Sequence, residues 1–199
     1  MRRFLPVLLL CSAVACGSVP TQTWINPMFQ PQVHQKVVVL PFDSKFADGR
    51  NMADAFVTQF MGCGFVAVER GLADSVIQEI NLEGGVGALN VAQLKKMREV
   101  LNADGIVLGS IDALKTGEVN SVSLRLIDIR TGDVLLSSSF KNEKMIEVNQ
   151  IPSAMMEDIS KQLRQLAKKR AKEERARKKA EARKAAAAAK ALARSLKNK

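Results

Sequence analysis

Few residues in this chain could attack a substrate, hold a metal or move a proton. His34 is the single histidine, and Cys11, Cys16 and Cys63 are the three thiols. A Ser-His-Asp or Cys-His arrangement would have to recruit His34, which lies in a Pro- and Gln-rich stretch read as a solvated linker. Cys63 has no cysteine or histidine at metal-ligand spacing and is expected to be a buried apolar filler near a helix end. Residues 83–87, EGGVG, stand before a helix, where backbone amides could meet a phosphate. They lack the Lys-Ser/Thr end of a P-loop and follow a helix instead of a strand, so they read as a connector. Asp43, Asp48, Asp104, Asp128 and Asp133 fall at strand ends or turns, where aspartate commonly serves the backbone. No two of them form a catalytic pair by spacing, so the expectation is a non-enzymatic protein with no cofactor and no metal.

One thiol has surroundings that specify a reaction. Met1-Arg2-Arg3 is a cationic start, an apolar run covers 4–10, and the small residues of Ala13-Val14-Ala15 lead to Cys16. Charge followed by a short apolar run is the order of an export signal, and the run falls short of the about 20 residues that a bilayer span needs. The segment ending at Cys16 resembles the bacterial lipobox, in which the cysteine thiol receives a diacylglycerol and the chain is then cut just ahead of it. Leu10 occupies the position that would have to be small before Cys11, which discards that residue. Residues 1–15 are therefore expected to be a lipoprotein signal peptide and Cys16 the lipidation site that holds the chain on a membrane. Ordinary secretory cleavage near Ala15, leaving an unmodified cysteine, is the alternative. Gly17 after Cys16, where Asp could stand, fits the sorting to the outer membrane known from enteric bacteria.

Charge is divided along the chain. From residue 161 onward there are 16 Lys/Arg against 3 Asp/Glu, a net of +13, whereas 16–160 carries 12 against 17, a net of −5. Any argument about an anionic partner thus belongs to the tail. Lys168, Lys169, Arg170, Arg175, Arg177, Lys178, Lys179, Arg183 and Lys184 are its candidate contacts, with peptidoglycan or lipopolysaccharide as the partner. The alternative is a solvated end that only aids solubility. Nucleic acid is not expected, because export removes that target and the tail has no aromatic residue for stacking.

The elements that would position these groups follow from periodicity. The β-branched run 36–42, KVVVLPF, suits one buried strand closed by Pro41. Met52, Phe56 and Phe60 recur every fourth residue, on one face of a helix over 51–61 that Gly62 and Gly64 stop. A second apolar run at 65–68 makes strand, helix and strand, which implies a parallel pair with a crossover helix. Another helix is expected over 72–82, with Val76, Ile77 and Ile80 inward. A third covers 91–101, where Asn90 is the N-cap, Gln93 returns the capping bond, and Leu94, Met97 and Leu101 share a stripe. Strands are expected over 105–111, 119–130 and 133–140, the last two joined at the Thr131-Gly132 turn. From Ser153 the pattern is helical to the end. Met155, Ile159, Leu163 and Leu166 form a docking stripe, and beyond Ala167 the sequence becomes Lys, Arg, Glu and Ala, with Glu173–Arg177 and Glu174–Lys178 as i,i+4 pairs.

The expected fold class is α/β: a mixed β-sheet, parallel in its first part and ending in an antiparallel meander, packed with helices, plus a long C-terminal helix. Its division is a signal peptide at 1–15 and a lipidated cysteine with an extended tether at 16–35, in which Trp24 either packs on the domain or meets the lipid interface. An α/β domain at 36–152 and a helix at 153–199, docked at first and then a basic arm, complete it.

Four stretches in this order, VVVLPF at 37–42, GFVAVER at 64–70, NADGIVLGSI at 102–111 and LRLIDIRTGDVLLS at 124–137, resemble the soluble domain shared by the CsgG, FlgO and TolB N-terminal proteins of the bacterial envelope. The resemblance covers about half the chain, 36–140. It implies a non-enzymatic outer-membrane lipoprotein, facing the periplasm, that self-associates or docks on an envelope complex of secretion, flagellar or cell-wall-synthesis machinery. The alternative function is a module that tethers the outer membrane to an anionic polymer through the basic tail. CsgG's barrel-forming hairpins have no counterpart here, because every strand-like segment is used by the soluble sheet, and the basic tail is foreign to the pattern.

Overall fold

The computed structural model of the chain describes residues 21–80, 90–141 and 147–197. Cys16, the expected signal peptide at 1–15 and the EGGVG stretch lie outside these residues, as do the side chains of Ile77 and Ile80.

Valine-rich Lys36–Val39 forms β2, and the helix α1 over Gly49–Gly62 carries the chain back to β4, Val66–Ala67, which pairs with β2 in parallel. Asp48 caps α1 by accepting from the amides of Arg50 and Asn51, and Met52, Phe56 and Phe60 are buried on one face as their spacing requires. Helix α2 spans Arg70–Ile80 and α3 spans Val91–Leu101, the latter entered through a complete Asn90–Gln93 capping box. Strand β5, Gly105–Ala113, then pairs in parallel with β2, and the two-residue β3, Asp43–Ser44, pairs with its far half. Strands β6, Val119–Asp128, and β7, Val134–Lys141, complete the antiparallel meander. Gly132 at φ +79° provides the left-handed residue that the β6–β7 turn needs. The sheet is thus parallel first and antiparallel last, with helices on both faces, and the long helix α4 runs over Ile151–Lys197.

Burial along the strands records which face each helix covers. The first half of β5 is buried on both sides: Val107 belongs to the core under α1 and α4, while Ile106 and Leu108 belong to a second core under α2 and α3. In β6 the pattern becomes alternating, with Val122, Leu124 and Leu126 buried and Ser123 and Arg125 exposed, because only one face remains covered there. Phe42 stacks on Phe56 at 5.1 Å between ring centroids, and Phe60 meets Phe65 edge-on at 5.3 Å. Each such ring contributes about 1.5–3 kcal/mol by burial. Gly109 makes room for this cluster, since a Cβ there would lie 2.3 Å from the Phe42 ring.

The sheet has two strands more than sequence periodicity suggests, the short β3 and a strand at its edge. Thr21–Ile25 forms β1, antiparallel to β7 at the edge, giving the order β1-β7-β6-β5-β2-β4. The expected extended tether at 16–35 is corrected accordingly. From Thr21 onward it belongs to the domain, and residues 26–34 turn back under it with Phe29 fully buried in the first core. Trp24 lies in β1, paired with Ser137, with 52% of its surface exposed.

Candidate functional site

Register across the sheet defines two ends. Thr21 pairs with Phe140, Phe140 with Val122, and Val122 with Ile111, so β1 begins level with the C-terminal part of β5. Ile25 pairs with Leu136, Leu136 with Leu126, and Leu126 with Val107, so β1 leaves toward the start of β5. The Thr21 end also carries Lys45 and Phe46, which follow β3, and Leu114 and Lys115, which follow β5; all are exposed, and Lys45 Nζ sits 5.3 Å from the Phe46 ring centroid. Residues 17–20 alone separate Thr21 from Cys16, a reach of at most about 18 Å.

The opposite end gathers the remaining polar groups. His34, expected in a solvated linker, is instead buried there: its Nε2 donates to Asp128 Oδ2 at 3.2 Å, and Nδ1 lies 3.0 Å from the Gln30 carbonyl oxygen. Asp128 Oδ1 accepts from the amides of Arg130 and Thr131, which closes the β6–β7 turn. Burial alone would push the Asp128 carboxyl up, but the two amides and the His34 ring together hold it below the usual carboxylate range. Asp104 ties the start of β2 to that of β5 by accepting from the Lys36 amide at 2.9 Å. These aspartates do serve the backbone, and the one histidine serves an aspartate.

Cys63 is also at this end, and its expected burial is a second correction. It is the exposed C-cap of α1, where the helix stops at Gly62 before its apolar phase can carry the thiol inward. Its Sγ lies 3.0 Å from Ser160 Oγ on α4. Between α1 and α4 runs an open groove of about 600 Å³ lined by Gln59, Cys63, Ser153, Ser160, Arg164 and Lys168, among others.

Helix α4 has two unlike halves. Ile151, Met155, Met156 and Ile159 are buried in the first core, and the helix packs on β1, β7 and α1. Leu163 is partly buried, and Arg170 donates from its guanidinium to the Pro27 carbonyl, the last described contact with the domain. Because Ser160 is level with Cys63 and Arg170 with Pro27, α4 runs from the Thr21 end toward the opposite end. Lys168, Lys169, Arg175, Arg177, Lys178, Lys179, Arg183 and Lys184 are all exposed, and Arg170 is half-buried. Lys178 Nζ lies 2.7 Å from Glu174, and this pairing holds the Glu174 carboxyl low. Arg177 reaches forward to Glu181 at 3.5 Å. The nine candidate residues are therefore on one continuous helix, where Lys168 lines the groove beside α1 and Arg170 reaches Pro27.

Among the described residues, no group of His, Cys, Asp and Glu could hold a metal ion, and no helix is long and apolar enough to cross a membrane.

No protein-family model matches the chain, and a comparison with curated proteins finds no relative. Among solved structures it is similar to lipoprotein GNA1162 from Neisseria meningitidis, at 16% identity over 65% of this chain and 96% of that one, with a TM-score of 0.45. It is also similar to a PelC dodecamer from Paraburkholderia phytofirmans, at 16% identity over 74% and 97% with a TM-score of 0.44. The LpoB C-terminal domain from Escherichia coli matches at 10% identity over 56% and 84%, with a TM-score of 0.43.

Proposed function

We propose that this chain is a non-enzymatic lipoprotein of the bacterial envelope, anchored through Cys16 and acting through what its α/β domain docks on. The observation that carries the reading is a spacing: a folded strand begins at Thr21, five residues after a cysteine that the sequence prepares for lipidation. A domain so close to its anchor is suited to working against a membrane. Its only histidine and its buried aspartate are occupied with each other and with a turn, which leaves the surface, and not a reaction centre, as the place for function. The resemblance to the CsgG, FlgO and TolB N-terminal domain supports a place on the periplasmic face of the outer membrane, in contact with an envelope complex and with copies of itself.

Palmitate labelling tests the anchor. Wild type and Cys11→Ala are expected to incorporate label, and Cys16→Ala is expected to incorporate none and to accumulate as precursor or soluble protein. Label retained in Cys16→Ala would overturn the assignment. Crosslinking in intact envelopes followed by purification is expected to return a defined envelope complex, and recovery of the chain alone or only with random abundant proteins would count against docking.

A further inference from the structure

Thr21, the described residue nearest the proposed anchor in sequence, and the exit of α4 lie at opposite ends of the domain, which bears on what the arm can reach. Between Thr21 and Ile25 the strand advances about 14 Å, and the exit of α4 beside Pro27 lies further still. From there residues 171–197 continue as one helix, adding about 40 Å at 1.5 Å per residue. Charge at the headgroups of the anchoring membrane is screened within about 8 Å at physiological salt. An upright domain therefore holds its whole arm outside the field of that membrane. The Thr21 end exposes Phe46 and Leu114 with Lys45 and Lys115 beside them, and side chains of these types, resting on a headgroup layer, would hold the domain upright.

Resting on the proposed anchor at Cys16, we infer that the basic half of α4 is a stand-off arm that binds the cell-wall polymer, pairing its lysines and arginines with the carboxylates of wall stem peptides. Charge complementarity carries the choice of partner. From residue 168 to 197 there are 13 Lys/Arg against 3 Asp/Glu, spread over every face of the helix, so the arm can engage a flexible, multiply anionic mesh without presenting a single docking face. Lys161, Arg164 and Lys168 carry the same charge, with Glu157 before them, along the groove beside α1. The basic strip is thus continuous with the domain, and a bound polymer segment would be held near it.

The test uses the full mature chain with Cys16→Ser, so that wall binding is measured without the lipid, while palmitate labelling of wild type reports on the anchor separately. Binding is measured on purified peptidoglycan sacculi and, in parallel, on vesicles of phosphatidylethanolamine and phosphatidylglycerol. A variant with glutamine at Lys168, Lys169, Arg175, Lys178, Lys179 and Lys184 is compared at rising salt. The expected result is retention on sacculi that falls about tenfold or more in the glutamine variant and declines with salt. Equal retention of both proteins, or retention on vesicles but not on sacculi, would overturn the inference. Polarity is read in cells by carbodiimide coupling of lysine amines to wall carboxylates in the lipidated wild type. Adducts at Lys178 and Lys184 are expected; adducts confined to Lys45 and Lys115 would place the wall at the wrong end and also overturn it.

Discussion

The two halves of α4 are equally helical for opposite reasons. In the docked half the apolar stripe supplies the stability: Ile151, Met155 and Ile159 are fully buried against the sheet and α1. Beyond Arg170 no stripe remains. There the helix rests on the high intrinsic propensity of Ala, Lys, Arg and Glu, and on pairs such as Glu174–Lys178. That pair has glutamate N-terminal to lysine, the better orientation with respect to the helix dipole, whereas Arg177–Glu181 has the weaker reverse order. One half is therefore part of the fold and the other is attached to it. A helix held by its partners can be broken by one substitution, while a helix held by composition can be cut without consequence for the domain.

The largest effect is expected where the contrast is sharpest. Ile159→Ala removes a fully buried side chain from the first core and is expected to cost about 2–5 kcal/mol, read as a lower urea midpoint with unchanged slope. A loss below about 1 kcal/mol, within reach of surface substitutions, would mean that the docked half is held no better than the arm.

A smaller effect is expected where the docked half ends. Its last contact among the described residues is Pro27, in the turn that His34 fastens to Asp128. Asp128→Asn keeps the shape but removes the charge that His34 and two amides address, at a cost of about 1–3 kcal/mol. The sign with pH follows from the depressed folded value of Asp128. The carboxylate stabilises the fold above its unfolded range, about pH 4, and that contribution is lost as pH falls through the lowered folded value. Wild type is expected to lose stability on this acid limb and Asp128→Asn to lose less. Parallel acid limbs for the two proteins would show that the pair does not fasten the turn.

Much of this organisation is legible in the sequence, and the exceptions share a cause. The crossover from β2 through α1 to β4, the capping box at Asn90, the stripe of Leu94, Met97 and Leu101, and the hairpin around Gly132 are local patterns. Each is decided by residues a few positions apart. Strand β1 is not, because TQTWI offers Trp24 and Ile25 as its apolar residues, sits among prolines, and becomes a strand by pairing with β7 more than a hundred residues later. The fate of His34 is set by Asp128, at a sequence separation of 94, and no spacing rule reaches that far. Buried Phe29 is the one local signal that the supposed linker contained a core residue. Cys63 deceives in the other direction. Its residue type and its place three positions after Phe60 suggest burial, but the helix ends at Gly62 and leaves the thiol outside.

The smallest effect, expected near zero, is the most discriminating for α4 itself. Truncation after Arg170 retains the contact with Pro27 and every buried residue of the helix, and removes residues whose described side chains are exposed. The melting temperature and urea midpoint of the shortened chain are expected to equal those of the full chain, although far-UV helicity falls by the removed segment. Glu174→Ala, in a fully exposed pair, should change neither. A cut after Leu163 would additionally remove Arg164, Lys168 and Arg170, and a measurable drop there, absent after Arg170, would locate the boundary between fold and arm within two helical turns. If instead the cut after Arg170 already lowers the melting temperature, the arm packs on the domain, and the division of α4 into a structural half and a reaching half does not hold.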